Sequence, residues 1–307
     1  MTAASGITLG ESGLFDPTAP LTPSGNLRRR RVVDGIVQFV ATAAALVAVA
    51  VLVIITYDVA AHGLSALSLG FVINAPQGLT GGGIVNSLLG TLEIVAAAAL
   101  IAVPLGILTG LYLTEFAGAR SRTGRILKLA LDMMQGLPTI VVGLFVYGLI
   151  VIPQHRESGF AGAVALSIVM LPLMARASQE VLLLVPSSLR EAADALGVNR
   201  WRTVLTVILP AAVGGLVTGA ILAIARAAGE TAPLLICNSI YNPNATSFNL
   251  FHGVPSVPMY IYTTFDLPLA GAVAKTWAAA LVLMIFILLA NIGARLVLAR
   301  SRAKMGR

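Results

Sequence analysis

Pro186–Leu235 reads PSSLREAADALGVNRWRTVLTVILPAAVGGLVTGAILAIARAAGETAPLL. Its first half is polar and charged. Its second half is an apolar run of membrane length, interrupted by Arg226 and Glu230. Outward from this stretch the chain stays apolar: of 307 residues, 57% are hydrophobic and only 11% charged, with a mean hydropathy of +0.91. No core of ordinary size could bury that surface, so the bilayer must act as solvent for much of it.

Six apolar spans are expected, at about 35–57, 87–113, 129–152, 160–184, 207–236 and 270–299. Residues 1–34, poor in apolar periodicity and ending in Arg28 to Arg31, read as a disordered tail, and 300–307 as a basic one. The linker 58–85 carries no Lys or Arg and holds the Gly81-Gly82-Gly83 turn; 237–269 is a second linker on the same side. Basic residues cluster before span one, between spans two and three, around the link from four to five, and after the centre of span six. Seventeen of the 20 lie in these clusters, on the side opposite the two linkers. The positive-inside rule then puts both termini on the cytoplasmic side of the membrane. The net charge of +7 is a topology signal, not a nucleic-acid footprint.

The spans are not smooth anchors. Gly136-Leu137-Pro138, Gly143 and Gly148 interrupt span three, Pro172 interrupts span four, and Gly215 and Gly219 give span five a small-xxx-small face. Such residues suit a moving helical core. Cys237 is the one cysteine, which excludes an intramolecular disulfide, and it reads as an inert apolar residue. The histidines at 62, 155 and 252 all fall in linkers, and Asp132 has no intramembrane acidic partner. Intramembrane proteolysis is therefore a poor reading. Glu93 and Asp132 read as solvated or capping, and Asn244-Ala-Thr246 is a sequon too short to carry weight.

In the polar half, Ser188 and Glu191 have capping-box spacing, so a helix should begin after Ser188. Leu189, Ala193 and Leu196 then share a face, Gly197 ends the helix, and Asn199 caps the next. Ala192, Ala193 and Gly197 would let a partner approach closely. In the apolar half, Arg226 and Glu230 are four residues apart, about 6 Å along a continuous helix and on one face. A lone Arg at mid-bilayer costs about 2.5–3.5 kcal/mol on the most lenient scale, so it should face a partner or a wet path. Two readings stand: a packing ion pair, or an anion site whose Arg contacts the substrate while Glu230 orients it.

Glu191-Ala192-Ala193, then Gly197, Val207 and Leu209-Pro210 at their spacing, resembles the coupling loop of ABC importer permeases, with Val207 where Ile is usual. Arg226-Ala-Ala-Gly-Glu230-Thr231-Ala-Pro-Leu-Leu, the Gly136–Phe145 segment and Leu189–Gly197 are similar to the phosphate-importer permease family, the PstA type, from about Asn86 to the end of span six. The resemblance implies an all-α membrane fold of the type I importer class. It implies a substrate path at Arg226, Glu230 and Thr231, and ATPase coupling through Glu191, Ala192, Ala193, Gly197, Leu209 and Pro210. The implied partners are a PstC-like sister permease, a pair of PstB-like ATP-binding subunits and an extracytoplasmic PstS-like phosphate-binding protein. No G-x-x-x-x-G-K-[ST] occurs in the chain. ATP and Mg would thus sit on the partner, with no cofactor, metal or catalytic residue here. A permease for sulfate or molybdate is the alternative within the class; a membrane regulatory scaffold leaves the coupling loop and the span-five charges unexplained.

Overall fold

The computed structural model describes residues 27–77, 81–118, 121–239 and 249–305. The expected disordered tail up to residue 26 and the Asn244–Thr246 sequon lie outside the described residues. Two units are distinguished, Met1–Thr56 and Tyr57–Arg307. The described part of the first is the helix α1, which runs Leu27–Gly63 into the second. Residues 27–34, expected in the tail, are helical. The basic run of Arg28 to Arg31 has good helix propensity and simply extends the apolar helix behind it.

In the second unit, α2 (Leu69–Ile73) leads to a two-residue hairpin, β1 (Pro76–Gln77) and β2 (Gly81–Gly82), pairing Pro76 with Gly82 and Gln77 with Gly81. The glycine turn is thus half of a small antiparallel pair. Helix α3 (Val85–Leu111) continues as a π-helical turn, Tyr112–Phe116. Next come α4 (Arg122–Gly136), α5 (Thr139–Val146), a second π-turn at Tyr147–Val151 and the short α6 (Ile152–Gln154). Helix α7 spans Gly159–Leu183 and α8 Ser187–Ala195. Helix α9 (Arg200–Thr203) passes through a third π-turn, Val204–Ile208, into α10 (Leu209–Ala228). The chain closes with α11 (Ala232–Cys237), α12 (Val257–Thr264) and α13 (Ala270–Met305).

Among the described residues, five helical stretches are long and apolar enough to cross a membrane: Arg29–Gly63, Val85–Phe116, Gly159–Leu183, Arg200–Ala228 and Ala270–Leu296. The pair Arg122–Gly136 and Thr139–Gln154, bent by 103°, makes a sixth if the two helices are taken together as one broken span. The expected third span, 129–152, is therefore two helices. Leu137, at ψ 134°, and Pro138, at ψ 130°, are both extended. A proline disfavours helical backbone in the residue before it, which places the break.

The fifth expected span, 207–236, is also divided. Its helix ends at Ala228 with Gly229 as C-cap. Pro233 lacks an N–H and its ring would strike the carbonyl four residues back, at Gly229, so the helix can only restart after the break.

The core forms where α3 and α7 lie against each other. A Cβ on Gly106 would fall 2.7 Å from Met174 Cβ, and one on Gly110 2.7 Å from Ser178 Cβ. Helix backbones approach this closely only over small residues. Ile94, Ala98, Ala102, Ala163, Leu166 and Met170 fill the centre of this contact, joined by Ala223, Ala227 and Leu234. The expected small-residue face of α10 is real and meets α7, with Gly215 against Val181 and Gly219 against Ala177.

Candidate functional site

The two broken spans meet. Thr139 opens α5 directly after the Leu137-Pro138 break, and its Oγ1 donates to Glu230 Oε1 at 2.8 Å. Glu230 lies in the gap between α10 and α11. Behind that bond α5 rests on α11: a Cβ on Gly143 would come 3.0 Å from Pro233 Cα, and Cys237 Sγ donates to the Gly143 carbonyl at 3.3 Å. Cys237 is fully buried, in keeping with its reading as an apolar residue. Breaks of this kind free backbone groups, and at membrane depth these are tolerated where they line protein or a wet cavity.

Arg226 sits in the last turn of α10 and is exposed. It has no hydrogen-bond or ion-pair partner among the described residues. The expected arrangement of Arg226 and Glu230 on one helical face does not occur. The helix stops at Ala228, Glu230 lies beyond its cap, and Thr139 takes up the carboxylate instead. Thr231 is half-buried as the residue before α11. Gln135 to Pro138 are exposed beside the first break. Arg226 is thus an exposed cation with no counter-charge among the described residues.

The second cluster is the loop formed by α8 and α9. Helix α8 starts two residues earlier than expected, with Pro186 as N-cap and no side-chain cap. The Ser188–Glu191 capping box does not form, because the fixed φ of Pro186 already sets the helix entry. Glu191 is left exposed. The expected end is found. Gly197 has φ +69°, its N–H donates to the Asp194 carbonyl at 3.0 Å, and that of Val198 to Ala193 at 3.0 Å. This is a Schellman closure. Asn199 caps α9 through Oδ1, which accepts from the Trp201 N–H at 3.2 Å.

Ala192, Gly197 and Trp201 are exposed, and Leu196 is 82% exposed. Ala193, expected to face a partner, is buried. Leu209 is half-buried and Pro210 exposed at the start of α10.

Two residues that sequence reasoning passed over hold this loop to the spans. Arg190, noted only as a topology charge, reaches Glu115 at 2.7 Å. Glu115 went unremarked, although it is the only charged residue between Glu93 and Arg120. A lone acid at the end of an apolar run was the signal. Asp132, read as solvated, pairs with Arg176, and Arg176 Nη1 also donates to Gln179 Oε1 at 3.1 Å. Among the described residues, no group of three or more His, Cys, Asp or Glu could hold a metal ion.

Residues 102–303 match the family described as binding-protein-dependent transport system inner membrane component. The phosphate transport system permease protein PstA of Haemophilus influenzae is 38% identical over 243 residues, covering 79% of this chain and 85% of that protein. PstA 1 of Mycobacterium tuberculosis is 35% identical over 291 residues, covering 92% and 94%. Among solved structures, an inward-facing form of the MetNI methionine ABC transporter superposes with a TM-score of 0.56 at 19% identity. It covers 71% of this chain and 95% of the other. That likeness bears on the fold alone, which is that of an ABC importer permease.

Proposed function

The chain belongs to the family of binding-protein-dependent transport system inner membrane components, and from that premise we infer that it is the permease subunit of an ATP-driven importer moving inorganic phosphate into the cytoplasm. The observation that carries this reading is the exposed, unpartnered Arg226 beside two broken spans. A cation left open at membrane depth needs an anionic partner from outside its own chain. The planar guanidinium fork donates to two oxygens of a tetrahedral oxyanion at once. Arg226, Glu230 and Thr231 form this chain's side of the path, and the named phosphate permeases among its relatives select phosphate from the oxyanions.

The partners are a sister permease of the PstC type closing the other side of the path, a pair of PstB-type ATP-binding subunits beneath the α8–α9 loop, and a PstS-type phosphate-binding protein above. ATP and Mg belong to the ATP-binding pair, and this chain is not itself an enzyme. Glu191, Ala192 and Gly197, with the exposed Leu196 and Trp201, make the docking face. Ala193 supports it from within, and Leu209 and Pro210 pass its motion into α10. Reconstitution of the chain with these partners should give ATP-dependent uptake of labelled phosphate in strong preference to sulfate and molybdate. Preference for either of those would make it a permease for another oxyanion, and no uptake at all would favour a regulatory scaffold.

Both termini face the cytoplasm of the bacterial inner membrane, because the basic clusters hold their side there. Single cysteines replacing the exposed Ser65 and Asp266, with Cys237 changed to Ser, should react with an impermeant thiol reagent added outside intact cells. Cysteines at the exposed Arg122 and Leu196 should react only after the membrane is opened. The reverse pattern would invert the topology.

A further inference from the structure

Arg190 ties three elements together. Its Nε donates to Glu115 Oε1 at 3.1 Å and Oε2 at 3.3 Å, and its Nη2 to Oε1 at 2.7 Å. Nη1 donates to the Val185 carbonyl at 2.6 Å and Nη2 to the Leu182 carbonyl at 2.9 Å. Glu115 is only 3% exposed and lies in the π-turn that ends the α3 span. Leu182 and Val185 belong to the C-terminal end of α7 and the residues just past it, where carbonyls have acceptor capacity to spare; the Leu182 carbonyl also accepts from the Val185 N–H at 3.3 Å. One guanidinium from α8 therefore satisfies a buried carboxylate on α3 and two carbonyls at the end of α7. Nearby, Trp201 of α9 packs on Phe116 with ring centroids 4.8 Å apart. Both helices of the loop grip the same π-turn.

We propose that Arg190 and Glu115 are the positioning pair that carries displacement of α8 into α3 and α7 together, keeping ATP hydrolysis and opening of the path in step. A bidentate pair fixes distance and orientation at once, unlike an apolar contact, which slides. A buried carboxylate cannot be left unpaired cheaply, so the link holds as the loop moves. α3 and α7 also pack closely over Gly106 and Gly110, so a push at their shared end moves them as one body.

The proposal rests on α8 being the ATPase-docking segment, and its test separates the two. The assembled importer is reconstituted in vesicles as wild type, Glu115→Gln, Arg190→Lys and Glu191→Lys. Bound ATP-binding subunit, ATP hydrolysis and phosphate uptake are measured on each. Glu115→Gln keeps shape and an acceptor but removes the charge; Arg190→Lys keeps the charge but loses the fork. Both should retain the ATP-binding subunit and hydrolyse ATP. Phosphate moved per ATP hydrolysed should fall about five-fold or more, the lower end of coupling between distant sites.

A contact that merely stabilises the fold would lower the amount of assembled complex and leave that ratio unchanged. An unchanged ratio in both variants, or loss of assembly in both, overturns the proposal. Should only one variant assemble, its ratio decides. Release of the ATP-binding subunit by Glu191→Lys supports the docking reading independently. Retention of a fully active subunit in Glu191→Lys removes that reading, and the proposal with it.

Discussion

Changing Arg226 to glutamine is expected to abolish phosphate uptake per mole of assembled importer while leaving assembly intact. Assembly should survive because Arg226 is exposed and has no partner among the described residues, so its charge supports no internal contact. Uptake should not survive. Phosphate must shed water to enter a narrow membrane path, and a fixed cation offsets that desolvation. Two charge-assisted hydrogen bonds of about 1.5–3 kcal/mol each are at stake, so a fall of roughly 100-fold or more is expected. Arg226→Lys retains the charge without the fork and should give a partial defect.

Glu230→Gln tests the carboxylate in the contact it actually makes. Its carboxylate accepts from Thr139 and does not touch Arg226. A glutamine carbonyl can accept the same bond, so the defect should be milder than that of Arg226→Gln. Thr139→Val, which removes the donor between the broken helices, should do more harm than Glu230→Gln. If Arg226→Gln instead lowers folded yield and the surviving complex transports normally, the arginine serves packing and not the substrate.

Gly197→Val should release the ATP-binding subunit from an otherwise inserted permease, with loss of ATP-driven uptake. No atom lies within 4 Å of where a Cβ on Gly197 would stand, so the defect cannot come from a clash. It comes from the backbone. At φ +69° an L-residue costs about 1–2 kcal/mol, and a β-branched one tolerates the region least. The Schellman closure would open and α8 would leave its angle to α9. Gly197→Asn, which enters the left-handed region more readily, should recover much of the binding. Co-purification of the ATP-binding subunit over an affinity-tagged permease, alongside uptake, reads both. Full binding and full uptake in the valine variant would remove the loop geometry from the mechanism.

Local signals carried much of the loop. Gly197 and Asn199 act where they stand in sequence, and a helix end needs only its neighbours to form. The capping box was legible and wrong, because Pro186 set the helix entry two residues earlier. Ala193 was assigned to the docking face by spacing, yet spacing cannot say which side of a short helix the spans already occupy.

Apolar length, the side-bias of Lys and Arg, and the breaks announced by Gly136-Leu137-Pro138 determined from sequence alone that this is a helical membrane protein of several spans, two of them interrupted. These are properties of contiguous residues meeting a bilayer of set thickness, and no long-range contact is needed to read them. The importer-permease type was legible only through the resemblance of its loop and span-five motifs to a known family. Sequence also singled out Arg226 and Glu230, because charge in an apolar run is costly wherever the chain folds. Tertiary structure alone decided what each charge meets. Glu230 turns to Thr139, 91 residues away, and Arg190 finds Glu115, 75 residues away. Asp132 pairs with Arg176, and Arg226 is left open. Such pairings depend on which helices lie side by side, which the packing of small residues between α3, α7 and α10 sets and no single helix encodes.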